Sequence, residues 1–434
     1  MSAKSEFREG DSVEVLTEEN TFRGTIMPGR ERFLSLKLNN GYNMGIEKDK
    51  IKEVRVINRM KAVKEQKRPA RERKSLKCIA VLHTGGTIAS KVNYETGGVS
   101  AGFSAEDLIE LVPELSDIVN IKTELVSNMM SEDMNFSNYR KIASAVKKQA
   151  ESGVDGVIIG HGTDTLAFTA AALSFMFEKI SIPILVVGSQ RSSDRGSSDS
   201  AMNLVCAAEF IRQSDFAGVA VCMHSSLSDD KCAILPATKT RKLHTSRRDA
   251  FKAVNDKPIA FVDFVTRKIE FLKTDYHKRA PGVKSKDVAL QDGFEEGIGL
   301  LKVHPNMSKG LFEFFTGSYK GIIIEGTGMG HAPTNTEENL PNFNILKRFI
   351  DNGGVVGITS QCIYGRVHPH IYTNLRRLEN IGCVFCEDML PETALIKLAW
   401  LLGNYSREKA VELLPKSLRG EITERTTAEN DHGI

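Results

Sequence analysis

Three turns in this sequence carry side chains that could perform acyl chemistry. HTGGTIAS, His83 to Ser90, follows the apolar run CIAVL and sets Thr87 directly after Gly85 and Gly86. A dinucleotide fingerprint needs G-x-G-x-x-G, and a phosphate loop needs a glycine, four residues and then Gly-Lys-Ser/Thr; neither spacing is present, so the turn is not a phosphate cradle. It offers a hydroxyl instead. The glycines let a substrate approach the backbone, and the stiff χ1 of a β-branched residue aims the oxygen of Thr87. The bland alternative is a helix start with a threonine cap. The second turn, HGTDTLAF, places Thr163 and Asp164 side by side after the run GVIIG. Asp164 can serve as a helix cap, or as a carboxylate that holds an amino-acid ammonium group while a nucleophile is assembled. In the third element, ATKTRKLHTSRRDAF, Lys239 stands between Thr238 and Thr240.

Positioning such groups requires a rigid frame, and the segment from Cys78 onward supplies its pattern. Short β-rich runs end in glycine-containing turns and alternate with helical stretches, FSNYRKIASAVKKQA and DTLAFTAAALSFMF among them. This order indicates parallel βαβ units in a doubly wound sheet, where ligands sit at the carboxyl ends of the strands. The turns HTGGT, HGTDT and SQR all lie at such ends. The pattern breaks in the polar stretch around Thr274 to Glu296 and resumes with GIGLLKV, GIIIEGTG, GVVGITS and GCVFC as buried strands. Upstream, Val13 and Val15, then Leu34, Leu36 and Leu38, then Tyr42, Met44 and Ile46 alternate, with Asn40-Gly41 as a tight turn. The expected architecture is α/β: two doubly wound α/β domains preceded by a small SH3- or Tudor-like β-barrel. The expected boundaries are residues 1–56 for the barrel, 57–76 for a basic linker, 77–275 for the domain with the active site, 276–296 for an interdomain linker and 297–434 for the second α/β domain.

The bulk numbers narrow the function classes. A chain of 434 residues is long enough for two or three cores, and 58 basic against 55 acidic residues give a net charge of +3, too small to imply a nucleic-acid or membrane partner by itself. The basic run from Lys61 to Lys77 reads as a solvated connector, with an arm touching RNA or an acidic partner as the sharper alternative. Seven cysteines without a dense framework fit a reducing compartment, and the CxxC at Cys383 and Cys386 reads as core. With no apolar leader and no span of about 18 apolar residues, a soluble cytoplasmic protein is expected. His368 and His370 in RVHPHIY have no nearby third ligand and read as loop residues, so no metal is expected. Trp400, in PETALIKLAWLL, reads as a core or subunit contact.

With these residues in view, the sequence resembles the bacterial-type L-asparaginase/glutaminase amidohydrolases. The match is carried by Thr-Gly-Gly-Thr-Ile-Ala at 84–89, Tyr94 in NYETGGV, Ser131 in SEDM, His-Gly-Thr-Asp-Thr at 161–165 and Thr-Lys-Thr at 238–240, over about Cys78 to Tyr405. The resemblance implies that Thr87 is the acyl-accepting nucleophile, that Tyr94 helps activate it, and that Thr163, Asp164 and Lys239 form a second cluster. Lys239 is assigned to proton relay and not to direct base catalysis, since a neighbouring Asp164 favours its charged form. Ser131 matches a carboxylate-binding serine, Glu132 would join Asp164 in gripping the α-ammonium group, and Gly86 and Gly162 would line the substrate's approach. His83 is given a packing role. Met329, in EGTGMGHAP, stands where some members carry an asparagine that completes a neighbouring subunit's pocket, which counts against the family's tetramer geometry.

The barrel and basic connector extend the resemblance to the archaeal glutamyl-tRNA(Gln) amidotransferase D subunits as a family. That likeness implies a glutaminase that supplies ammonia to a partner, the amidotransferase E subunit, with ATP and magnesium used by the partner, charged tRNA bound mainly there, and a homodimer of this chain within a heterotetramer. No cofactor is expected in this chain. A free-standing L-asparaginase with an accessory barrel is the nearest alternative. A non-catalytic RNA-binding or scaffold protein is the alternative of another class, weakened by the lack of aromatic residues between Lys61 and Lys77.

Overall fold

A strand with one face in a core and one in water alternates apolar and polar residues. Val13 and Val15, Leu34 and Leu36, and Ile46 are buried in that rhythm. They lie on β1 (Ser12–Thr17), β3 (Phe33–Leu38) and β4 (Asn43–Glu47), which join β2 (Thr21–Met27) and β5 (Ile51–Asn58) in an antiparallel sheet ordered β4-β3-β2-β1-β5. β5 returns across the unit to pair with β1, and Ile26 completes a small separate core. This computed structural model describes residues 7–8, 10–18, 20–27, 32–38, 43–59, 73–85, 90–92, 99–101, 108–109, 112–191, 198–279 and 288–426. The Asn40-Gly41 turn, Tyr42 and the connector up to residue 72 lie outside the described residues.

A strand buried on both faces must be apolar at every position. β6 (Cys78–His83), which precedes β7 (Asn120–Leu125), meets that condition up to His83 at its end, and β8 (Gly156–Gly160) and β9 (Pro183–Val187) meet it throughout. With β7 and β10 (Gly218–His224) they form a parallel run ordered β7-β6-β8-β9-β10. Antiparallel strands continue the sheet from β11 (Lys231–Pro236), and a separate short hairpin follows, β12 (Thr240–Lys242) with β13 (Phe251–Ala253). The sheet then resumes antiparallel with β14 (Ala260–Asp263) and β15 (Ile269–Phe271). Ala80 and Leu82 of β6 face the side that holds α2 (Phe136–Glu151) and α3 (Leu166–Met176), whereas Ile79 and Val81 face α1 (Leu115–Ile118) and α4 (Ser200–Gln213). Strand order reverses between β6 and β8, so the crevice where such sheets bind ligands opens above those two strands.

The second α/β unit has four parallel strands, β16 (Ile298–Lys302), β17 (Gly321–Gly326), β18 (Val355–Ser360) and β19 (Val384–Phe385), in chain order. Ile322 and Ile324 pack with α5 (Lys309–Ser318), α6 (Leu340–Asp351) and α7 (Thr373–Asn380). Ile323 faces the other way, toward α8 (Pro391–Asn404), which belongs to the same continuous core as α2 and α3. Phe175 of α3 stacks on Trp400 of α8 at 5.7 Å, and Phe136 of α2 stacks on Phe294 at 4.8 Å. The two α/β domains therefore share a core. Cys383 and Cys386 are buried, and burial pushes both thiols up to about 12, in keeping with inert core residues.

Candidate active site

Three turns meet above the β7-β6-β8 edge. Thr84 gives its backbone N–H and its hydroxyl to the Gly160 carbonyl, at 3.1 and 3.0 Å, and its own carbonyl accepts from Met129 N–H at 3.1 Å. Gly85 sits at φ +101°, and a β-carbon there would stand 2.5 Å from the Met129 carbonyl oxygen, so only glycine fits. On the next turn Gly162 lies against Ser131: a β-carbon at 162 would approach Ser131 Cβ to 2.7 Å and Oγ to 2.9 Å. The Thr165 hydroxyl donates to the Ser131 carbonyl at 2.6 Å and locks these two turns together. Ser131 is buried; Glu132, beside it on the same short 3-10 turn, is exposed.

Beneath the second turn His161 is wholly buried, and burial draws its pKa down to about 4. The neutral ring is oriented: Nδ1 donates to the Gly162 carbonyl at 2.7 Å, which leaves Nε2 to accept from the Thr169 hydroxyl at 2.8 Å. Burial also lowers His83 to about 4, consistent with a packed strand-end residue and not a titrating catalyst. On the turn after β9, the Asp199 carboxylate accepts from Ser189 Oγ at 2.9 Å and from the backbone N–H groups of Gln190 and Arg191 at 3.0 Å, which fixes the SQR segment.

The β12–β13 hairpin brings a lysine to Thr163 and Asp164, and it is not Lys239. Lys242 Nζ donates to Thr163 Oγ1 at 2.9 Å and to Asp164 Oδ1 at 2.7 Å. Lys239 Nζ is fully buried on the opposite side, 2.7 Å from Asp388 Oδ2 and 3.2 Å from the Asp388 carbonyl oxygen. Burial pushes its pKa down while Asp388 opposes that shift. The reason is local: in the extended Thr240–Lys242 strand, neighbours such as Arg241 and Lys242 point to opposite faces, while Lys239 lies in the turn that precedes the strand, its N–H donating to the Pro236 carbonyl. Lys239 and Arg241 both turn to the second α/β domain, Arg241 meeting Glu392 at 3.1 Å, and Lys242 turns to the site. The assignment of Lys239 to the Thr163–Asp164 cluster is thus corrected to Lys242. Asp164 is also no helix cap here, since the N-cap of α3 is Thr165. Thr87, Gly86 and Tyr94 lie outside the described residues.

The remaining expected positions have simple surroundings. Met329 is half-buried and packs on the core of its own domain. His370 reaches Glu379 at 3.1 Å, and the described residues contain no cluster of His, Cys, Asp and Glu that could hold a metal ion. No helix among the described residues is long and apolar enough to cross a membrane.

Comparison with known proteins follows the same division. Residues 78–276 match the asparaginase N-terminal domain, residues 297–414 the glutaminase/asparaginase C-terminal domain, and residues 7–57 the GatD N-terminal domain. Among solved structures, the thermostable L-asparaginase from Thermococcus kodakarensis is 29% identical with a TM-score of 0.71, covering 80% of this chain and 100% of its own. L-asparaginase I from Vibrio cholerae is 27% identical with a TM-score of 0.68 over the same shares. The two α/β domains make this an enzyme of the asparaginase and glutaminase amidohydrolase class. Over nearly the full length, the chain is 46% identical to the D subunit of glutamyl-tRNA(Gln) amidotransferase from Thermococcus kodakarensis (96% of this chain, 95% of the relative). It is 43% identical to that of Methanococcus maripaludis (97% and 99%). The chain belongs to the family of glutamyl-tRNA(Gln) amidotransferase D subunits.

Proposed function

We propose that this chain is the glutaminase component of a tRNA-dependent amidotransferase, hydrolysing glutamine or asparagine and delivering the ammonia to a partner that converts Glu-tRNA(Gln) to Gln-tRNA(Gln). The observation that carries the reading is Lys242 bridging Thr163 and Asp164 at the strand-order reversal, beside the Ser131–Gly162 contact. In this reading the Thr87 hydroxyl attacks the side-chain amide carbon and passes its proton on, with Tyr94 assisting. The tetrahedral oxyanion collapses by breaking the C–N bond, ammonia leaves with the added proton, and water then frees the acid from the Thr87 ester. Thr163 and backbone N–H groups of the glycine turn would stabilise the oxyanion, each such donor being worth about 100-fold or more. Ser131 would take the substrate carboxylate and Asp164, with Glu132, the ammonium group; Gly86 and Gly162 leave the space. Lys242 would relay protons through Thr163.

The partner in this reading is the amidotransferase E subunit, which uses ATP and magnesium to activate the glutamyl carboxylate and binds the charged tRNA. Two copies of this chain would sit in a heterotetramer in the cytoplasm. With the partner co-expressed, Thr87→Ala is expected to abolish amide transfer from glutamine to glutamyl-tRNA while transfer from free ammonium persists. Loss of both, or survival of both, overturns the assignment.

A further inference from the structure

Lys242 owes its place to a hairpin whose two ends both rest on one residue of the other domain. Lys239, just before β12, gives its ammonium to the carboxylate and to the carbonyl of Asp388. Asn255, two residues after β13, donates to the same Asp388 carbonyl at 3.2 Å and holds Gly365 through two further bonds, at 3.1 and 2.9 Å. Val254 N–H closes the base of the hairpin on the Lys239 carbonyl at 2.8 Å. From the outside Thr423, in the final described stretch, caps Asp388: its N–H donates to Oδ1 at 3.0 Å and its hydroxyl to Oδ2 at 2.5 Å. The stretch is itself fastened, by the buried Glu421 pairing with Lys397 at 2.6 Å and by Arg366 donating to the carbonyls of Thr423 and Glu424.

We infer that Asp388, closed over by Thr423, is a positioning residue for catalysis: through Lys239 and Asn255 it fixes the hairpin that presents Lys242 to Thr163 and Asp164. This rests on the proposed role of Lys242. A charge pair alone would serve stability anywhere in the seam. Here it joins the two feet of a hairpin whose first strand is three residues long and carries Lys242 at its far end, so a loosened base displaces that amine. A displacement near 1 Å at such a group can lower turnover by as much as about 100-fold.

The test is a double-mutant cycle on amide hydrolysis by the full chain co-purified with its partner. Asp388→Asn is expected to lower kcat roughly tenfold with KM nearly unchanged, because Ser131 and Gly162 are untouched, yet to cost less than about twofold in a Lys242→Ala background. Equal losses in both backgrounds overturn the positioning role and leave the site reading intact. Full activity of Lys242→Ala overturns the site reading, and this inference with it. Thr423→Val, which keeps the buried ion pair, runs through the same cycle if Asp388→Asn does not fold. Its second readout is hydrogen exchange, which should rise in residues 240–253 before the rest of the domain. A fall in kcat without that local rise counts against the clamp.

Discussion

Two lysines three residues apart divide the labour in the ATKTRK segment: substitution of Lys239 should weigh mainly on stability, with a smaller kcat loss through the loosened hairpin base, and substitution of Lys242 on chemistry. Lys239→Ala strands the Asp388 carboxylate in a fully buried place; breaking such a pair from one side typically costs ~3 to 5 kcal/mol, visible as an earlier urea midpoint. Lys242→Ala removes a side chain that points to the turn cluster, so kcat should fall by at least about 100-fold while the midpoint moves little. If the two effects came out exchanged, the assignment of Lys242 would be wrong. His161 supplies a pH signature. Its folded pKa of about 4 lies below the ordinary 6.5, so folding favours the neutral ring. The stabilisation is whole above pH 6.5 and drains away as pH falls toward 4, on the order of 3 kcal/mol for a ring this buried. His83 adds to the same window. His161→Gln, which cannot take a proton but keeps a donor and an acceptor, should remove roughly half of that acid slope in denaturation curves. An unchanged slope would place the acid sensitivity elsewhere.

At the scale of elements, the frame is legible in the sequence because burial on both faces writes itself as continuous apolar runs. CIAVL, GVIIG and ILVV read as central parallel strands, and their glycine turns as the ligand edge. Thr163 and Asp164 are legible as adjacent polar residues at one such edge. Lys239 misleads because facing depends on where a three-residue strand begins, and its partner Asp388 is 149 positions away in sequence, beyond the reach of local pattern. Arg241 carries the missing signal: the T-R-K alternation puts Lys242 on the face opposite Arg241. The tight Gly162–Ser131 approach has no sequence signal beyond a glycine in a turn, since it joins two turns from different strands. Gly162→Ala would push Ser131 away from its present place. KM for glutamine should then rise about tenfold or more with a smaller change in kcat; a loss confined to kcat would remove Ser131 from substrate binding.

For the molecule as a whole, the seam between the α/β domains is built as interior. Phe175 on Trp400, Phe136 on Phe294 and the strap from Leu418 to Thr426 join the two domains through packed side chains and hydrogen bonds. The chain has a single tryptophan, and it sits in that seam. Tryptophan fluorescence and far-ultraviolet circular dichroism of the α/β portion should therefore trace one coincident transition in denaturant; a fluorescence change preceding the loss of helix would mean the domains separate first. The order in which a ribosome makes the chain gives this seam another meaning. The helix that covers α3 spans Pro391–Asn404, more than two hundred residues behind it, so during synthesis that oily flank waits uncovered until the later helix emerges. A nascent polypeptide of this design carries exposed apolar surface through that interval, and a message cut short before that helix is expected to yield insoluble protein, not a working half.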